Sequence, residues 1–147
     1  MQTDKIRVLL ADDDEDDRQF FKEAFDEIKI KTSVEMVHDG VALMKYLENS
    51  EELPHIIFLD LNMPFKNGIE CLREIKENDK LKNISIAIYS TSAAESDIEQ
   101  TFVKGANVYI KKPNDFALLK KALSEVISIN WQYHTSGMNK ENFILSI

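Results

Sequence analysis

Apolar residues along the chain follow two kinds of pattern, which alternate five times. Short runs of consecutive apolar and β-branched residues are typical of strands that are covered on both faces. Longer segments carry apolar residues at spacings of three and four, as the buried face of a helix does. The predicted strands are 6–10, 33–37, 55–59, 84–89 and 107–110, and the apolar helix faces lie within 20–28, 41–47, 69–75, 98–103 and 116–126. Five strand-then-helix repeats predict an α/β fold with a doubly wound, five-stranded parallel sheet, right-handed crossovers and helices on both faces.

Two helix ends are marked by residues with special backbone or capping properties. Gly105 follows the fourth helix face, at the place where a left-handed residue commonly ends a helix. Asn114 or Asp115 precedes the fifth face, and either side chain can accept a hydrogen bond from a first helical turn. The sequence therefore predicts one helix that ends at Gly105 and another that begins after Asn114 or Asp115.

Residues 1–130 show no shift of composition, internal repeat or linker, and they are predicted to form one domain. The segment 131–147 carries Trp131 and Phe143 and is more apolar than a typical disordered tail. We expect it to pack on the domain or to form a homodimer contact, with a mobile tail as the alternative. The sequence has no signal-peptide core and no uncharged apolar run long enough to span a membrane, which predicts a cytoplasmic protein without a membrane partner.

Negative charge is concentrated at one place in the sequence. Asp and Glu total 26 against 18 Lys and Arg, which gives a net charge of −8, and residues 12–17 are consecutive acids. A protein that binds nucleic acid needs a basic surface to neutralise phosphates, and anionic membrane surfaces also attract basic segments. The composition therefore argues against both kinds of partner. The single cysteine, Cys71, excludes an intramolecular disulfide, and its position beside the third helix face predicts a packing role.

Chemically active side chains follow the ends of four predicted strands. Asp12 and Asp13 follow the first strand, Asp60 the third, Ser90 the fourth and Lys112 the fifth. Because the carboxyl ends of parallel strands lie at one edge of a sheet, these groups are expected to converge there. Carboxylates this close repel one another unless a cation neutralises them. Mg²⁺ suits such an oxygen-rich site, so the sequence predicts a magnesium site beside an aspartate that can accept a phosphoryl group.

Four segments at these strand ends read VLLADDDEDD, FLDLNMPFKNG, IAIYSTS and YIKKP. In this order and spacing they resemble the receiver domain of two-component response regulators, and the resemblance covers about residues 5–130. It implies a flavodoxin-like sheet with the strand order 2-1-3-4-5. The KPND sequence after the fifth strand is similar to that of single-domain receivers that work with phytochrome-like sensor kinases.

By this resemblance, Asp60 is the phosphoacceptor and belongs to a metal site. Mg²⁺, for which Mn²⁺ could substitute, would be held by the carboxylates of Asp12, Asp13 and Asp60. The backbone carbonyl of Asn62 would complete the set of protein ligands. The four remaining acids, residues 14–17, are predicted to form a solvated helix start, where carboxylates interact favourably with the helix dipole.

The resemblance also implies roles for residues around the phosphoryl group. Ser90 would donate a hydrogen bond to it, and Lys112 would pair with one of its oxygens. Tyr109 matches the aromatic switch residue that turns inward when Ser90 is drawn to the phosphoryl group. The Lys112–Pro113 peptide bond is expected to be cis. Thr91 departs from the smaller residue that receivers usually carry there, which hints at slower phosphoryl transfer or hydrolysis.

The function implied is that of a stand-alone response regulator. It would take a phosphoryl group from the phosphohistidine of a sensor histidine kinase or a histidine phosphotransfer protein, and then switch a surface that binds a downstream protein target. It would catalyse only its own aspartyl phosphorylation and dephosphorylation, so it is not expected to be an enzyme that acts on other substrates. Two alternatives stay open, namely a degenerate receiver that serves as a constitutive protein-interaction module and a phosphatase for external substrates.

Other phosphate and metal sites fit the sequence poorly. Residues 12–23 carry acids at several positions of a calcium-binding loop, but Asp17 stands where the sharp turn of that loop needs Gly. A phosphohydrolase of the haloacid dehalogenase type would need a second aspartate two residues after its nucleophile. This chain has Asn62 there, which cannot transfer a proton. The four glycines form neither a GxGxxG pattern nor a P-loop, which argues against a nucleotide site.

Overall fold

The apolar runs form the strands of a parallel sheet in the computed structural model. The structure describes residues 5–133, and beyond residue 128 it describes the helical backbone only. The strands are β1 (Ile6–Ala11), β2 (Thr32–Val37), β3 (Ile56–Leu59), β4 (Ser85–Ser90) and β5 (Val108–Lys111). The helices are α1 (Glu15–Glu27), α2 (Gly40–Asn49), α3 (Gly68–Glu77), α4 (Glu95–Val103) and α5 (Phe116–Tyr133). Within the described range, strands and helices thus alternate as predicted.

The strand order is β2-β1-β3-β4-β5, which confirms the predicted doubly wound, flavodoxin-like sheet. Leu9 of β1 lies opposite Glu35 of β2 on one side and Ile57 of β3 on the other. Ile57 in turn lies opposite Ile86 of β4, and all the strand pairs are parallel. The order of connection reverses between β1 and β3, which is where open α/β sheets bind ligands at the carboxyl ends of their strands.

Alternate strand residues point to opposite faces of the sheet and form two separate cores. On one face, residues such as Leu9 and Ile57 pack with α2, α3 and α4. On the other face, Leu10 and Phe58 pack with α1 and α5. Phe21 of α1 meets Phe58 edge to face, with ring centroids 5.1 Å apart. Since helices cover both faces, the strands are apolar along most of their length.

Both predicted helix ends are confirmed, and the choice between two capping residues is resolved. Gly105 has a φ of 97°, and its N–H donates to Phe102 O at 3.1 Å, so a left-handed glycine follows α4. Asp115, the second of the two candidates, accepts a hydrogen bond from Leu118 N at 2.9 Å through Oδ1. The first turn of α5 is therefore capped by the aspartate.

The expectation of a cis Lys112–Pro113 bond is wrong, because this peptide bond is trans. Trans is the intrinsically preferred form even before proline. The lysine reaches the predicted site from this backbone, since its Nζ lies 2.8 Å from Asp12 Oδ2.

Helix α5 extends to Tyr133, three residues past the predicted end of the domain at residue 130. Residues 134–147 lie outside the described range, so the packing or homodimer contact of the segment 131–147 stays a prediction. Among the helices of residues 5–133, none combines the length and apolar character that a membrane crossing requires.

Candidate functional site

Backbone hydrogen bonds bring the predicted site residues to one edge of the sheet. Asp60 N donates to Ala11 O at 3.0 Å, directly after β3. Lys112 N donates to Ser90 O at 2.8 Å, directly after β5. The strand pairing therefore continues past the last residues of β3 and β5 and determines where these side chains start. We call Asp12, Asp13, Asp60, Ser90 and Lys112 together the rim cluster.

Three carboxylates of the rim cluster converge as predicted. Each of Asp12, Asp13 and Asp60 offers an oxygen, and these oxygens lie within 4.8 Å of one another. Asp12 is fully buried and Asp60 is 5% exposed, whereas Asp13 is exposed to solvent. Two buried acids and one exposed acid thus share a small space that is open on one side.

Lys112 is the cation that faces these acids. Its Nζ lies 2.8 Å from Asp12 Oδ2 and 3.4 Å from Asp60 Oδ2, and its side chain is only 8% exposed. The same Nζ lies 5.3 Å from the ring centroid of Tyr89, which packs beneath it. Burial alone lowers the pKa of Lys112, but hydrogen bonds to Asp12 and Asp17 and the charge of Asp60 outweigh that effect and raise it. The lysine is therefore held in its charged form.

Asp17 lies in the first turn of α1, as the sequence predicts, but it is half-buried and pairs with Lys112 instead of being simply solvated. Its Oδ2 lies 2.8 Å from Lys112 Nζ, and its side chain is 36% exposed. Asp17 stands one helical turn before Phe21, which is fully buried in the core. The side of α1 that faces the sheet therefore includes Asp17, and extending the apolar face by one turn would have identified it.

Burial dominates the ionisation of the two inner carboxyls. It raises the pKa of Asp60 to about 6; the charge of Lys112 opposes this rise, and the charge of Asp12 adds to it. A backbone hydrogen bond from Asn62 to the Asp60 carboxyl also lowers the pKa. Burial likewise raises the pKa of Asp12, against the hydrogen bond from Lys112. Both acids are thus held where a further positive charge would favour their ionised form.

The donor set of the rim cluster fits a hard divalent cation. Its carboxylates supply only oxygen ligands, and one of them, Asp13, borders the solvent. Asp12 Oδ2 is buried and contacts Lys112 Nζ at 2.8 Å, which leaves lone pairs of this carboxylate without a partner among the described residues. A buried carboxylate oxygen with spare acceptor capacity beside two further carboxylates is the arrangement that Mg²⁺ and Mn²⁺ require.

Ser90 and Tyr109 are linked through Ser92. Ser90 is fully buried, and its Oγ accepts a hydrogen bond from Ser92 N at 3.1 Å. The hydroxyl of Tyr109 donates to Ser92 O at 2.9 Å, and the ring is only 2% exposed. Tyr109 already points inward in this structure. Ser92 Oγ donates to Asp97 Oδ2 at 2.6 Å, which connects the site to the first turn of α4.

The loop between β3 and α3 closes directly against Asp60. Gly68 N donates to Leu61 O at 2.9 Å, and an added Cβ at Gly68 would lie 2.2 Å from Asp60 O. At the outer end of the loop, Phe65 has a φ of 68° and is 86% exposed. Asn62 lies in the same loop and is exposed. The backbone of Asp60 is thus fixed by a loop that tolerates no side chain at its inner end.

Curated proteins with similar sequences include regulators from bacteria and archaea. The response regulator Rcp1 of Synechocystis is 32% identical over 126 residues, which cover 82% of this chain and 86% of Rcp1. The probable methanogenesis regulatory protein FilR2 of Methanothrix harundinacea is 29% identical over 127 residues, which cover 84% of this chain and 82% of FilR2.

Solved structures with the same fold include two regulators captured in chemically informative states. The phosphorylated cyanobacterial phytochrome response regulator RcpA is 30% identical, with a TM-score of 0.79, and the match covers 90% of this chain and 98% of that chain. The Mn²⁺-bound form of response regulator Rcp1 is 28% identical, with a TM-score of 0.75 and the same two coverages. A metal site at the acidic cluster of this chain agrees with the second of these structures.

The family model described as the response regulator receiver domain matches residues 8–124. This range contains β1 from residue 8 onward, the other four strands and every residue of the rim cluster. The chain therefore belongs to the response regulator receiver domain family of two-component signalling proteins.

Proposed function

We propose that this receiver accepts a phosphoryl group on Asp60 from the phosphohistidine of a sensor histidine kinase or a histidine phosphotransfer protein. The observation that carries the proposal is the position of the Asp60 carboxyl, which is nearly buried and lies 3.4 Å from the Lys112 ammonium and within 4.8 Å of two further carboxylates. The relatives named above belong to different pathways, so the proposal specifies the donor by its chemistry.

The cation of the proposed reaction is Mg²⁺, with Mn²⁺ as a substitute. Asp12, Asp13 and Asp60 would hold it, together with the backbone carbonyl of Asn62. When bound, the metal supplies positive charge that offsets the repulsion between these carboxylates and the oxygens of the phosphoryl group. The other steps depend on side chains of this chain.

Transfer forms one bond and breaks one. A carboxylate oxygen of Asp60 attacks phosphorus, the P–N bond to the donor imidazole breaks, and the imidazole leaves with its electron pair. Lys112 offers an N–H to a phosphoryl oxygen, and its charge balances the charge that this group brings. The hydroxyl of Ser90, whose Oγ now accepts a bond from Ser92 N, donates to another phosphoryl oxygen.

The change at Ser90 is the proposed origin of signalling. Ser92 is bonded to Ser90, Tyr109 and Asp97, so a shift of Ser90 alters the start of α4. The surface formed by α4, β5 and α5 would then bind a downstream protein target. On this account the protein catalyses only its own phosphorylation and dephosphorylation.

The proposal is tested by intact-mass spectrometry after incubation with a small phosphodonor such as acetyl phosphate and Mg²⁺. The wild type should gain one phosphoryl group, and Asp60→Asn should gain none. A chelator in place of Mg²⁺ should suppress the labelling. If the wild type stays unlabelled while another receiver is labelled in the same buffer, the constitutive interaction module predicted as an alternative becomes the better account.

A further inference from the structure

We propose that Asp17 is a positioning residue that restrains Lys112 in the unphosphorylated protein. This restraint slows the movement of the Lys112 ammonium from Asp17 to a phosphoryl oxygen on Asp60. The inference rests on the proposed function, because it concerns the lysine of the same site. Asp17 lies outside the carboxylate cluster that fits a metal ion. Its ion pair with Lys112 joins α1 to the segment after β5, across 95 residues of sequence.

Asp17 stands in the first turn of α1, whose backbone is held firmly in place. Its own backbone N–H donates to Oδ1 of Asp14, the residue that caps the helix, at 2.9 Å. Arg18 Nη1 donates to Asp12 O at 2.8 Å and ties the same turn to the end of β1. One turn further along, Phe21 is fully buried in the core. Because this turn is anchored on both sides, Asp17 is a fixed partner for the lysine.

The number of protons on the Lys112 ammonium makes its partners compete. The group has three N–H donors and faces three carboxylates, namely Asp12 and Asp17 at 2.8 Å and Asp60 at 3.4 Å. A phosphoryl oxygen can therefore be bonded only when one of the existing contacts weakens. The ground-state partners thus oppose the interaction that the phosphorylated state needs.

Exposure decides which partner yields. Asp12 is fully buried, and losing its cation would leave a buried charge uncompensated, which is strongly unfavourable. Asp17 is 36% exposed and can be hydrated when the lysine leaves. Its hold on Lys112 is therefore the one that is released, and removing it in advance should speed the reaction. The loss of one half-buried hydrogen bond between charged groups, such as that between Asp17 and Lys112, changes an equilibrium or rate by roughly five- to thirtyfold.

The test compares three variants with the wild type. Asp17→Asn removes the charge that faces Lys112. Asp16→Asn removes the same charge one residue earlier, from an exposed side chain that makes no ion pair with the described residues. Asp17→Glu keeps a carboxylate on the same turn and serves as the conservative rescue. Each variant is labelled with acetyl phosphate and Mg²⁺, the rate is followed by intact mass, and thermal unfolding confirms that each is folded.

A second measurement reports on Lys112 without any phosphorylation. The unlabelled, metal-free proteins are treated briefly with a dilute amine-acylating ester, and acylation of Lys112 is quantified by peptide mapping. Release of the lysine from Asp17 should raise its acylation in Asp17→Asn but leave it unchanged in Asp16→Asn. If Asp17 were merely structural, Asp17→Asn would have a lower unfolding temperature. It would show neither faster labelling nor higher acylation of Lys112.

The expected result is that Asp17→Asn labels roughly five- to thirtyfold faster than Asp16→Asn, with Asp17→Glu close to the wild type. Labelling of Asp17→Asn at or below the Asp16→Asn rate would overturn the inference, and so would unchanged acylation of Lys112. If the wild type is not labelled at all, the proposed function fails and the kinetic role fails with it. Higher acylation of Lys112 in Asp17→Asn would then still show that the ion pair restrains the lysine.

Discussion

Replacement of Gly68 by alanine is expected to disturb the chemistry at Asp60 more than the stability of the fold. Gly68 is the first residue of α3, and its ideal Cβ would lie 2.2 Å from Asp60 O, 2.8 Å from Leu61 Cα and 3.0 Å from Asp60 C. Ordinary contact begins at 3.4 Å. All three neighbours are backbone atoms, so no rotamer change can relieve the clash. Either α3 or the backbone at Asp60 has to move.

The magnitude follows from two opposing contributions. Alanine favours a helix over glycine by about 1 kcal/mol. Overpacking of a filled site typically costs about 1–3 kcal/mol. The net loss of stability is therefore at most about 2 kcal/mol, or several degrees in unfolding temperature for a domain of this size. A displacement of a reacting group by about 1 Å, in contrast, can slow a reaction by roughly a hundredfold. We expect labelling of Gly68→Ala to fall by about ten- to a hundredfold.

The chain offers a matched control for this prediction. Gly40 is the first residue of α2, and its ideal Cβ would lie 2.0 Å from a different backbone atom, Lys66 O. Lys66 lies in the same loop as Asp60 but six residues further along, whereas the neighbours of Gly68 include Asp60 itself. Gly40→Ala should therefore lose a similar amount of stability but keep a labelling rate within a few fold of the wild type. The assay combines thermal unfolding with the rate of mass increase in acetyl phosphate and Mg²⁺. Equal labelling rates for folded Gly68→Ala and Gly40→Ala would refute the reasoning.

Three further predictions concern the metal, the loop and the cysteine. Mg²⁺ should raise the unfolding temperature of the wild type and of Asp16→Asn but hardly that of Asp13→Asn, because site occupancy at a hundred times Kd adds about 2.7 kcal/mol; an equal shift in Asp13→Asn would contradict the metal assignment. Phe65→Asn should raise the free energy of unfolding by up to about 1 kcal/mol, since asparagine tolerates the left-handed φ of 68° better than phenylalanine does. Urea unfolding measures this as a higher midpoint, and a lower midpoint would contradict the prediction. Burial raises the pKa of the Cys71 thiol to about 12, so it stays protonated at pH 8 and should be alkylated about a thousandfold more slowly in the folded protein than in denaturant, with the rate rising toward pH 12; rapid alkylation of the folded protein would argue against this burial.

The rim cluster could be predicted because its members share one simple property. Asp12 and Asp60 follow directly on apolar runs that are too short and too continuous for helices, and Lys112 follows a run of the same kind. Parallel strands that are covered on both faces bring such positions to one edge of the sheet, independently of the conformation of the loops. The pattern of apolar residues therefore predicted both the sheet and the convergence of the acids.

The role of Asp17 was hidden by the composition around it. In a run of six acids, the charge of each residue gives no information on which of them faces inward. Only the helical position, one turn before the buried Phe21, distinguishes Asp17 from the exposed Asp16. Helix periodicity does contain this information, but it has to be applied to polar residues as well as to apolar ones.

The bonds of Ser92 depend on the path of the loop after β4 rather than on any repeat in the sequence. Its N–H reaches Ser90 Oγ, its carbonyl accepts from Tyr109, and its hydroxyl donates to Asp97. Short polar side chains form such local bonds with many alternative partners, and the tertiary structure selects among them.

Two networks of side-chain contacts meet at Asp60, and this arrangement has a thermodynamic consequence. In the first, Lys112 reaches from the end of β5 to Asp12 after β1 and pairs with Asp17 of α1. In the second, Ser90 is hydrogen-bonded to Ser92 and through it to α4. A phosphoryl group on Asp60 needs a hydrogen bond from Lys112 in the first network and from Ser90 in the second. Part of the free energy of these new contacts is therefore used to weaken the first network, and the rest to rearrange the second. A ligand shifts an equilibrium only by its differential affinity for the two states. A variant that weakens the hold of Asp17 on Lys112 therefore leaves more of that energy for the change at Ser90, and it should populate the signalling conformation more fully at the same degree of labelling.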